Sequence, residues 1–316
     1  MTHLLFEIPG NEAPEGGKAG FLVAKGGRRL RYAIFNTQTR PHKGSVVLLT
    51  GRNECIEKYF ETIRELQQRG FAVAMFDLRG QGLSDRTTTN PEPGHIGDFA
   101  QYAQDLDQFF TDIVLPDCRA PYYILAHSTG SLVSLVAAPS LKNRVWRMVL
   151  IAPLLGVDNL PLSLDNVRRA TGTFKALGFS RRYASGGAWK PTPFDQNVVT
   201  CDAGRYGRNS LLYTTYPQLA LGGPTISWMN AAARASKHVS DPDYMARLHM
   251  PILFIAAGAD TVVSTRAIER YARRLRCAES VTIDGARHEV LQETDAVRAQ
   301  FWAAFDAFIP GSDPSS

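Results

Sequence analysis

The segment 121–134 (PYYILAHSTGSLVS) constrains the fold of this chain more than any other stretch. An apolar run typical of a buried strand ends at His-Ser-Thr-Gly and passes directly into residues that favour a helix. A sharp strand-to-helix turn at Ser128 would expose its hydroxyl and aim the backbone N–H of Thr129 at a developing oxyanion. The same residues also suit an ordinary turn in which Ser128 caps the helix. Ala126 replaces the first glycine of the usual G-x-S-x-G pattern, so its methyl group must fit where strand and helix approach closely.

Strand-like and helix-like segments alternate along most of the chain, after a Gly/Pro-rich stretch at 1–19 that we expect to be loosely ordered. Continuous apolar runs predict buried strands, and apolar residues at helical spacing predict helices between them. Such alternation is typical of the α/β class with a mostly parallel, doubly wound sheet. The predicted strands are a glycine-turn hairpin at 21–25 and 30–35, then 45–50, 72–78, 121–127, 145–152, 252–257 and 281–283.

The alternation stops between residues 154 and 249, where we find no strand pattern but short amphipathic runs and a predicted helix at 226–238. An insertion here would lie above the carboxyl ends of the strands, where open α/β sheets bind ligands. We therefore predict a core formed by residues 1–153 and 250–316 and an inserted, mainly helical lid at 154–249.

The predicted lid is basic, with eleven Lys/Arg, six Asp and no Glu, which gives it a net charge of +5, as large as that of the whole chain. This excess is typical of a solvated basic face, or of a surface that meets anionic headgroups or an anionic substrate. No nucleic-acid recognition motif accompanies it.

Two residues in later strand-end loops suit a reaction at Ser128. A serine nucleophile needs an imidazole to accept its proton and a carboxylate to orient that imidazole. Asp260 follows the strand ILFIAA, and His288 follows the strand VTID. Asp260 would also suit a helix N-terminus, and His288 an exposed loop. His127 adjoins the serine, and strand alternation predicts that it packs or donates beneath the turn.

The chain order Ser128, Asp260, His288 is that of α/β-hydrolases. The motifs TGRNE at 50–54, DLRGQGLS at 77–84, HSTG at 127–130, GADTVV at 258–263 and GARHE at 285–289 resemble those of the lysophospholipase and monoacylglycerol lipase branch. That branch carries HG-x-x-E, D-x-RG-x-G-x-S and G-x-x-H-E. The segment 195–228 resembles the lids of bacterial proteins usually labelled lysophospholipases.

This resemblance implies an α/β-hydrolase fold and a role for each site residue. Ser128 is the expected nucleophile, His288 the general base and then acid, and Asp260 the orienting carboxylate. Backbone N–H groups of Arg52 and Thr129 are expected to form the oxyanion hole, with no metal or organic cofactor. Thr50 replaces the family's histidine, so an imidazole at that position cannot shape the hole. We further assign two substrate contacts, Glu54 of the TGRNE motif and Trp228 of the lid.

The expected activity is hydrolysis of lysophospholipid or monoacylglycerol esters through an acyl-enzyme. A small-ester carboxylesterase, an acyltransferase and a proline-releasing peptidase remain open on the same fold, and a receptor for a hydrophobic ligand remains open from another class. The expected partners are a small ester or lipid and, through the basic lid, an anionic membrane surface. The sequence has neither a signal-peptide pattern nor a long apolar run, which predicts a cytoplasmic protein, with peripheral contact on the inner face of the membrane as the alternative. The oligomeric state stays open.

Overall fold

In the computed structural model, which describes residues 4–157 and 164–312, eight strands form one sheet in the order β1-β2-β4-β3-β5-β6-β7-β8. The β1–β2 and β2–β4 pairs are antiparallel, and every other pair is parallel. The strands are β1 Gly17–Ala24, β2 Arg28–Phe35, β3 Gly44–Leu49, β4 Phe71–Phe76, β5 Tyr122–His127, β6 Val145–Ile151, β7 Ile252–Ala257 and β8 Ala278–Ile283.

Every residue of β3, β4 and β7 is buried, because helices cover both faces of this sheet. A 3₁₀ turn at Ile56–Tyr59 leads into the first helix, and a π-helical turn at Phe110–Val114 joins the second to the third. The helices are α1 Phe60–Gln68, α2 Phe99–Phe109, α3 Leu115–Asp117, α4 Thr129–Leu141, α5 Leu164–Ala176, α6 Ala203–Thr215, α7 Ile226–Val239, α8 Pro242–Met245, α9 Thr265–Ala272 and α10 Asp295–Phe308.

The predicted α/β class and the mostly parallel sheet are confirmed. All of the predicted strands are present, including the hairpin, whose turn is Gly26-Gly27 between the paired residues Ala24 and Arg28. Strand β8 is longer than predicted because Glu279 and Ser280 interrupt its apolar pattern at the exposed edge of the sheet. None of the described helices is both long and apolar enough to cross a bilayer.

The described part of the segment between β6 and β7 contains α5, α6, α7 and α8 and contributes no strand to the sheet. Helix α5 packs along α7, which in turn contacts α4 of the core. The predicted lid boundaries therefore enclose four helices, although residues 158–163 of that segment lie outside the described residues.

The expectation of a loosely ordered stretch at 1–19 is wrong for the described residues from Leu4 onward. The buried Arg31 guanidinium donates to the carbonyl oxygen of Leu4 at 2.9 Å, and the backbone N–H of Phe6 donates to Glu57 Oε1 at 3.2 Å. Backbone hydrogen bonds to buried charged groups hold this segment, and composition gave no signal of them.

Candidate active site

Ser128 occupies the sharp turn between β5 and α4 that the sequence predicts. Its backbone has φ 48° and ψ −108°, a conformation that non-glycine residues rarely adopt. The backbone N–H of Ser128 donates to the carbonyl oxygen of Ile151 at 2.8 Å, which ties the turn to β6. The Ser128 hydroxyl lies 3.0 Å from Nε2 of His288 rather than on the first turn of α4. This geometry favours the exposed-nucleophile interpretation over the helix cap.

Glycine at position 130 lets the first turn of α4 pack against the end of β3. A Cβ there would lie 2.6 Å from the carbonyl oxygen of Thr50 and 2.8 Å from that of Leu49, closer than any side chain tolerates. Ala126, in contrast, fits the position where the motif usually has glycine: it is buried, and its carbonyl oxygen accepts a hydrogen bond of 2.8 Å from the Ser131 hydroxyl.

Ser128, His288 and Asp260 form one hydrogen-bonded chain. His288 Nδ1 lies 2.8 Å from Asp260 Oδ2, and Asp260 Oδ1 accepts backbone N–H groups of Val262 and Val263 at 2.7 and 3.0 Å. Burial raises the pKa of Asp260, but the bonds from His288 and the two N–H groups outweigh it and hold this pKa below its ordinary value. The carboxylate is therefore ionised and can orient the His288 imidazole.

The structure does not support the alternative roles of Asp260 as a helix cap and of His288 as an exposed loop residue. Helix α9 is capped by Ser264, whose hydroxyl accepts the N–H of Ala267, so Asp260 is not needed as its cap. His288 is 5 % exposed, so it is not an exposed loop histidine.

The loop after β3 lies beside this chain and is held on both sides of Arg52. The Gln81 side chain donates to the carbonyl oxygen of Gly51 and accepts the N–H of Asn53, each at 3.0 Å. Arg52 and Thr129 line the same cavity as Ser128. As the first residue of α4, Thr129 has a backbone N–H that no carbonyl of its own helix accepts. Both residues therefore line the cavity beside Ser128, and the role of their backbone N–H groups in an oxyanion hole stays a prediction.

A buried ionic network lies beneath the loop. Lys58 Nζ bonds Glu54 Oε1 at 2.9 Å and Glu289 Oε1 at 2.7 Å, and Tyr59 donates to Glu54 Oε2 at 2.6 Å. Burial raises the pKa of Glu54, but Lys58 and His127 reverse this and hold it well below its ordinary value. Burial lowers the pKa of Lys58, but Glu289 and Glu54 raise it above its ordinary value. The network therefore consists of charged partners.

His127 belongs to this network, as expected of a residue that donates beneath the turn. Its Nδ1 lies 3.1 Å from Glu54 Oε1, and its Nε2 lies 3.1 Å from the carbonyl oxygen of His288. A Cβ on Gly51 would lie 2.8 Å from His127 Nδ1, so glycine is required for this approach. Sequence reasoning missed Lys58, and it gave no role to Glu289 and Gln81, although these two lie in the GARHE and DLRGQGLS motifs.

The hydrogen-bonded chain opens into a cavity of about 550 Å³. Its apolar wall comes from α5, α7 and the loops after β6 and β7, and its polar wall comes from α6 and the segment 189–192. The apolar wall includes Leu154, Val157, Leu164, Met229, Ala232 and Val262, and the polar wall includes Lys190, Thr192, Tyr206, Asn209, Ser210 and Tyr213.

The two residues predicted to contact substrate, Trp228 and Glu54, both line this cavity. The Trp228 ring is almost fully buried and lies 5.6 Å from the Phe99 ring and 6.0 Å from the guanidinium carbon of Arg52. The Glu54 carboxylate is engaged by Lys58, Tyr59 and His127, so it bonds protein groups rather than presenting a free charge to the cavity.

Comparison with known proteins agrees with this fold and geometry. The family described as serine aminopeptidase, S33 (Hydrolase_4) matches residues 40–295. Lysophospholipase L2 of Escherichia coli K12 is 33% identical over 301 residues, covering 90% of this chain and 86% of its own. Probable lysophospholipase L2 of Haemophilus influenzae is 27% identical, covering 92% and 91%.

Among solved structures, a soluble variant of monoglyceride lipase from Saccharomyces cerevisiae in complex with a substrate analog superposes with a TM-score of 0.71. It is 19% identical and the match covers 94% of this chain and 96% of that one, so it supports the α/β-hydrolase fold. The chain belongs to the serine aminopeptidase S33 (Hydrolase_4) family and is an α/β-hydrolase related to lysophospholipase L2.

Proposed function

We propose that this enzyme hydrolyses carboxylic esters of lysophospholipids and monoacylglycerols through an acyl-enzyme on Ser128. The observation that carries this proposal is the hydrogen-bonded chain from Ser128 through His288 to Asp260 at the floor of a cavity with an apolar wall. The names of the relatives agree with it, since these are lysophospholipases and a monoglyceride lipase.

The first half of the reaction forms the acyl-enzyme. His288 Nε2 accepts the Ser128 proton as Oγ attacks the ester carbonyl carbon, and the Asp260 carboxylate stabilises the resulting imidazolium. Backbone N–H groups of Arg52 and Thr129 bind the oxyanion. Collapse of the adduct breaks the ester C–O bond, and His288 returns the proton to the departing alcohol.

The second half repeats these steps with water. His288 removes a proton from a water molecule, whose oxygen attacks the acyl carbon, and the proton then passes to Ser128 as the fatty acid leaves.

The segment 154–249 is the proposed lid, and its helices suit an acyl chain. Helices α5 and α7 contribute Leu164, Met229 and Ala232 to the apolar wall, and burial of each methylene of an acyl chain there is worth about 0.8 kcal/mol. The polar wall from α6 suits the alcohol part of the substrate.

An aminopeptidase activity, which the family description names, has weaker support in this cavity. Such an enzyme must bind the ammonium group of a peptide N-terminus with a carboxylate. Among the described residues that line the cavity, the carboxylates are Glu54 and Glu289, and Lys58 binds both.

The proposed lid also suits weak contact with an anionic membrane. Phe174, Leu177 and Phe179 are 50%, 65% and 45% exposed, and the pairs Arg168-Arg169 and Arg181-Arg182 lie in the same stretch of chain. Apolar side chains next to basic ones are typical of helices that rest on a lipid surface.

Labelling and turnover together test the proposed function. The wild-type enzyme should react with a fluorophosphonate and hydrolyse lysophosphatidylcholine and 1-monoacylglycerol. Ser128→Ala should lose both, and Ser140→Ala, on the exposed end of α4, should retain both. Faster cleavage of a short-chain ester would favour a carboxylesterase, and faster cleavage of a proline arylamide would favour a peptidase. Faster transfer of the acyl group to an acceptor alcohol would favour an acyltransferase, and absence of labelling would favour a receptor.

A further inference from the structure

The Arg52 side chain is half-buried in the cavity wall, and its hydrogen bond goes to a backbone carbonyl oxygen rather than to a carboxylate. Its Nη1 donates to the carbonyl oxygen of Gly222 at 2.8 Å, and its guanidinium lies against Trp228 in the cavity wall. Within residues 4–157 and 164–312, no carboxylate lies within ion-pair distance of this guanidinium. Burial lowers the pKa of Arg52, and Tyr102 and Glu54 offset this only in part. Among the described residues, the Arg52 guanidinium therefore has no acidic partner in the cavity wall.

Among the described residues, the fully buried arginines have acidic partners, whereas the half-buried Arg86, which does not line the cavity, also bonds only backbone carbonyl oxygens. Arg31 bonds both Asp77 and Glu57, Arg79 bonds Asp105, and Arg298 bonds Glu65. An unpaired cation in a cavity wall is costly unless a ligand supplies the opposite charge. The guanidinium geometry matches phosphate, which accepts two parallel hydrogen bonds from it.

Covalent geometry gives the position of that phosphate relative to the ester. Two numbers of covalent bonds are equal. One is counted from the backbone nitrogen of arginine to its Cζ, and the other from the ester carbonyl carbon of a 1-acyl lysophospholipid to its phosphorus. The Arg52 N–H is the proposed donor to the oxyanion. Its side chain, directed along the cavity wall, can therefore reach as far from Ser128 as the substrate phosphate does.

We propose that the Arg52 guanidinium binds the phosphodiester of a lysophospholipid whose ester carbonyl is at Ser128, an inference that rests on the proposed function. Lys190, which also lines the cavity, adds positive charge on the polar wall. A monoacylglycerol lacks the phosphate and gains nothing from this contact. The contact therefore discriminates between the two substrate classes.

Matched substrates test this discrimination. We expect Arg52→Gln to lower the ratio of kcat/KM for lysophosphatidylcholine to that for the 1-monoacylglycerol of the same acyl chain by about tenfold or more, the size of one charge-assisted contact. Arg52→Lys should keep part of the ratio because it keeps the charge without the bidentate geometry. The exposed Arg276→Gln is the charge-matched control, expected to leave the ratio unchanged. Circular dichroism and fluorophosphonate labelling verify that each variant is folded.

A binding measurement separates failure of this inference from failure of the proposed function. Calorimetry on Ser128→Ala protein should show that an alkyl-ether lysophosphatidylcholine binds about tenfold tighter than the corresponding alkylglycerol, and that Arg52→Gln in the same background removes the difference. A wild-type ratio unchanged in Arg52→Gln, equal binding of the two ethers, or inorganic phosphate binding as tightly as the lysophospholipid ether would overturn the headgroup site. If the wild-type enzyme turned over neither substrate, the proposed function would be overturned, but the headgroup site would still be judged by the binding measurement.

Discussion

His127 Nε2 lies 3.1 Å from the carbonyl oxygen of His288, so the residue before the proposed nucleophile supports the loop that carries the proposed base. The other ring nitrogen, Nδ1, lies 3.1 Å from the Glu54 carboxylate. A carbonyl oxygen and an ionised carboxylate can only accept, so both nitrogens donate and His127 is an imidazolium. Burial lowers the pKa of His127, but Glu54 outweighs it and raises this pKa above its ordinary value, in agreement with that assignment.

Glu54→Gln should therefore destabilise the fold, because it leaves His127 and Lys58 as buried cations with one carboxylate fewer. The expected loss is on the order of 3 kcal/mol in the free energy of unfolding, the size typical of a broken buried pair. Urea denaturation measures the free energy of unfolding of Glu54→Gln and of Glu279→Gln. The second variant is the control, because it makes the same substitution at an exposed position. Equal stabilities of the two variants would contradict the role assigned to this network.

The second prediction is that Asp260 orients His288. Asp284 is the rival carboxylate, because it is nearer to His288 in the sequence. The structure has Asp260 Oδ2 at 2.8 Å from His288 Nδ1. Asp260→Asn should lower kcat on the order of 10⁴-fold, as in the serine protease triad, because an amide favours the wrong imidazole tautomer. Asp284→Asn serves as the control, and pre-steady-state kinetics of both variants locates the loss in acylation. A larger effect of Asp284→Asn would show that the assignment is wrong.

The strands were predictable because they are continuous apolar runs, and Ser128 was predictable because strand, turn and helix follow one another within fourteen residues. Helix α6 was not predicted, since Gly204 and Gly207 interrupt its weak apolar pattern. The roles of Lys58, which sequence reasoning missed, and of Glu289 and Gln81, to which it gave none, depend on contacts between distant segments. Lys58 follows β3 and Glu289 follows β8, and these strands are not neighbours in the sheet, so only the folded chain brings the two side chains together.

Acid stability gives a third prediction, from Glu61. Burial raises the pKa of this residue, but hydrogen bonds and charges from Arg205, Arg298 and Arg208 lower it to about 2 from an ordinary 4.5. Because the pKa of Glu61 is lower in the folded protein than in the unfolded chain, its ionised form stabilises the fold at pH values above 4.5. This contribution is lost as pH falls from 4.5 toward about 2. The difference in unfolding free energy between wild type and Glu61→Gln should therefore be constant from pH 7 to 5 and shrink below pH 4.5.

Chemical denaturation at several pH values measures this difference, with the exposed Glu279→Gln as the control whose effect stays near zero. A difference that stays constant below pH 4.5 would mean that Glu61 is not held ionised by the three arginines.

The last prediction concerns the basic lid. If Arg168-Arg169 and Arg181-Arg182 attract anionic lipid, activity on lysophospholipid dispersed in anionic vesicles should fall as salt rises, because the Debye length shrinks from about 10 Å at 0.1 M to about 3 Å at 1 M. A soluble short-chain ester measured in the same buffers should show no such fall, which separates surface attraction from salt effects on the chemistry. Charge reversal of one of these pairs, the exposed Arg181-Arg182, should weaken vesicle sedimentation, whereas reversal of the exposed pair Arg273-Arg274, after α9 in the core, should not. The two reversals change net charge equally, so a difference between them comes from position. If both substrates respond alike to salt, or both reversals act alike, the basic residues form only a solvated face.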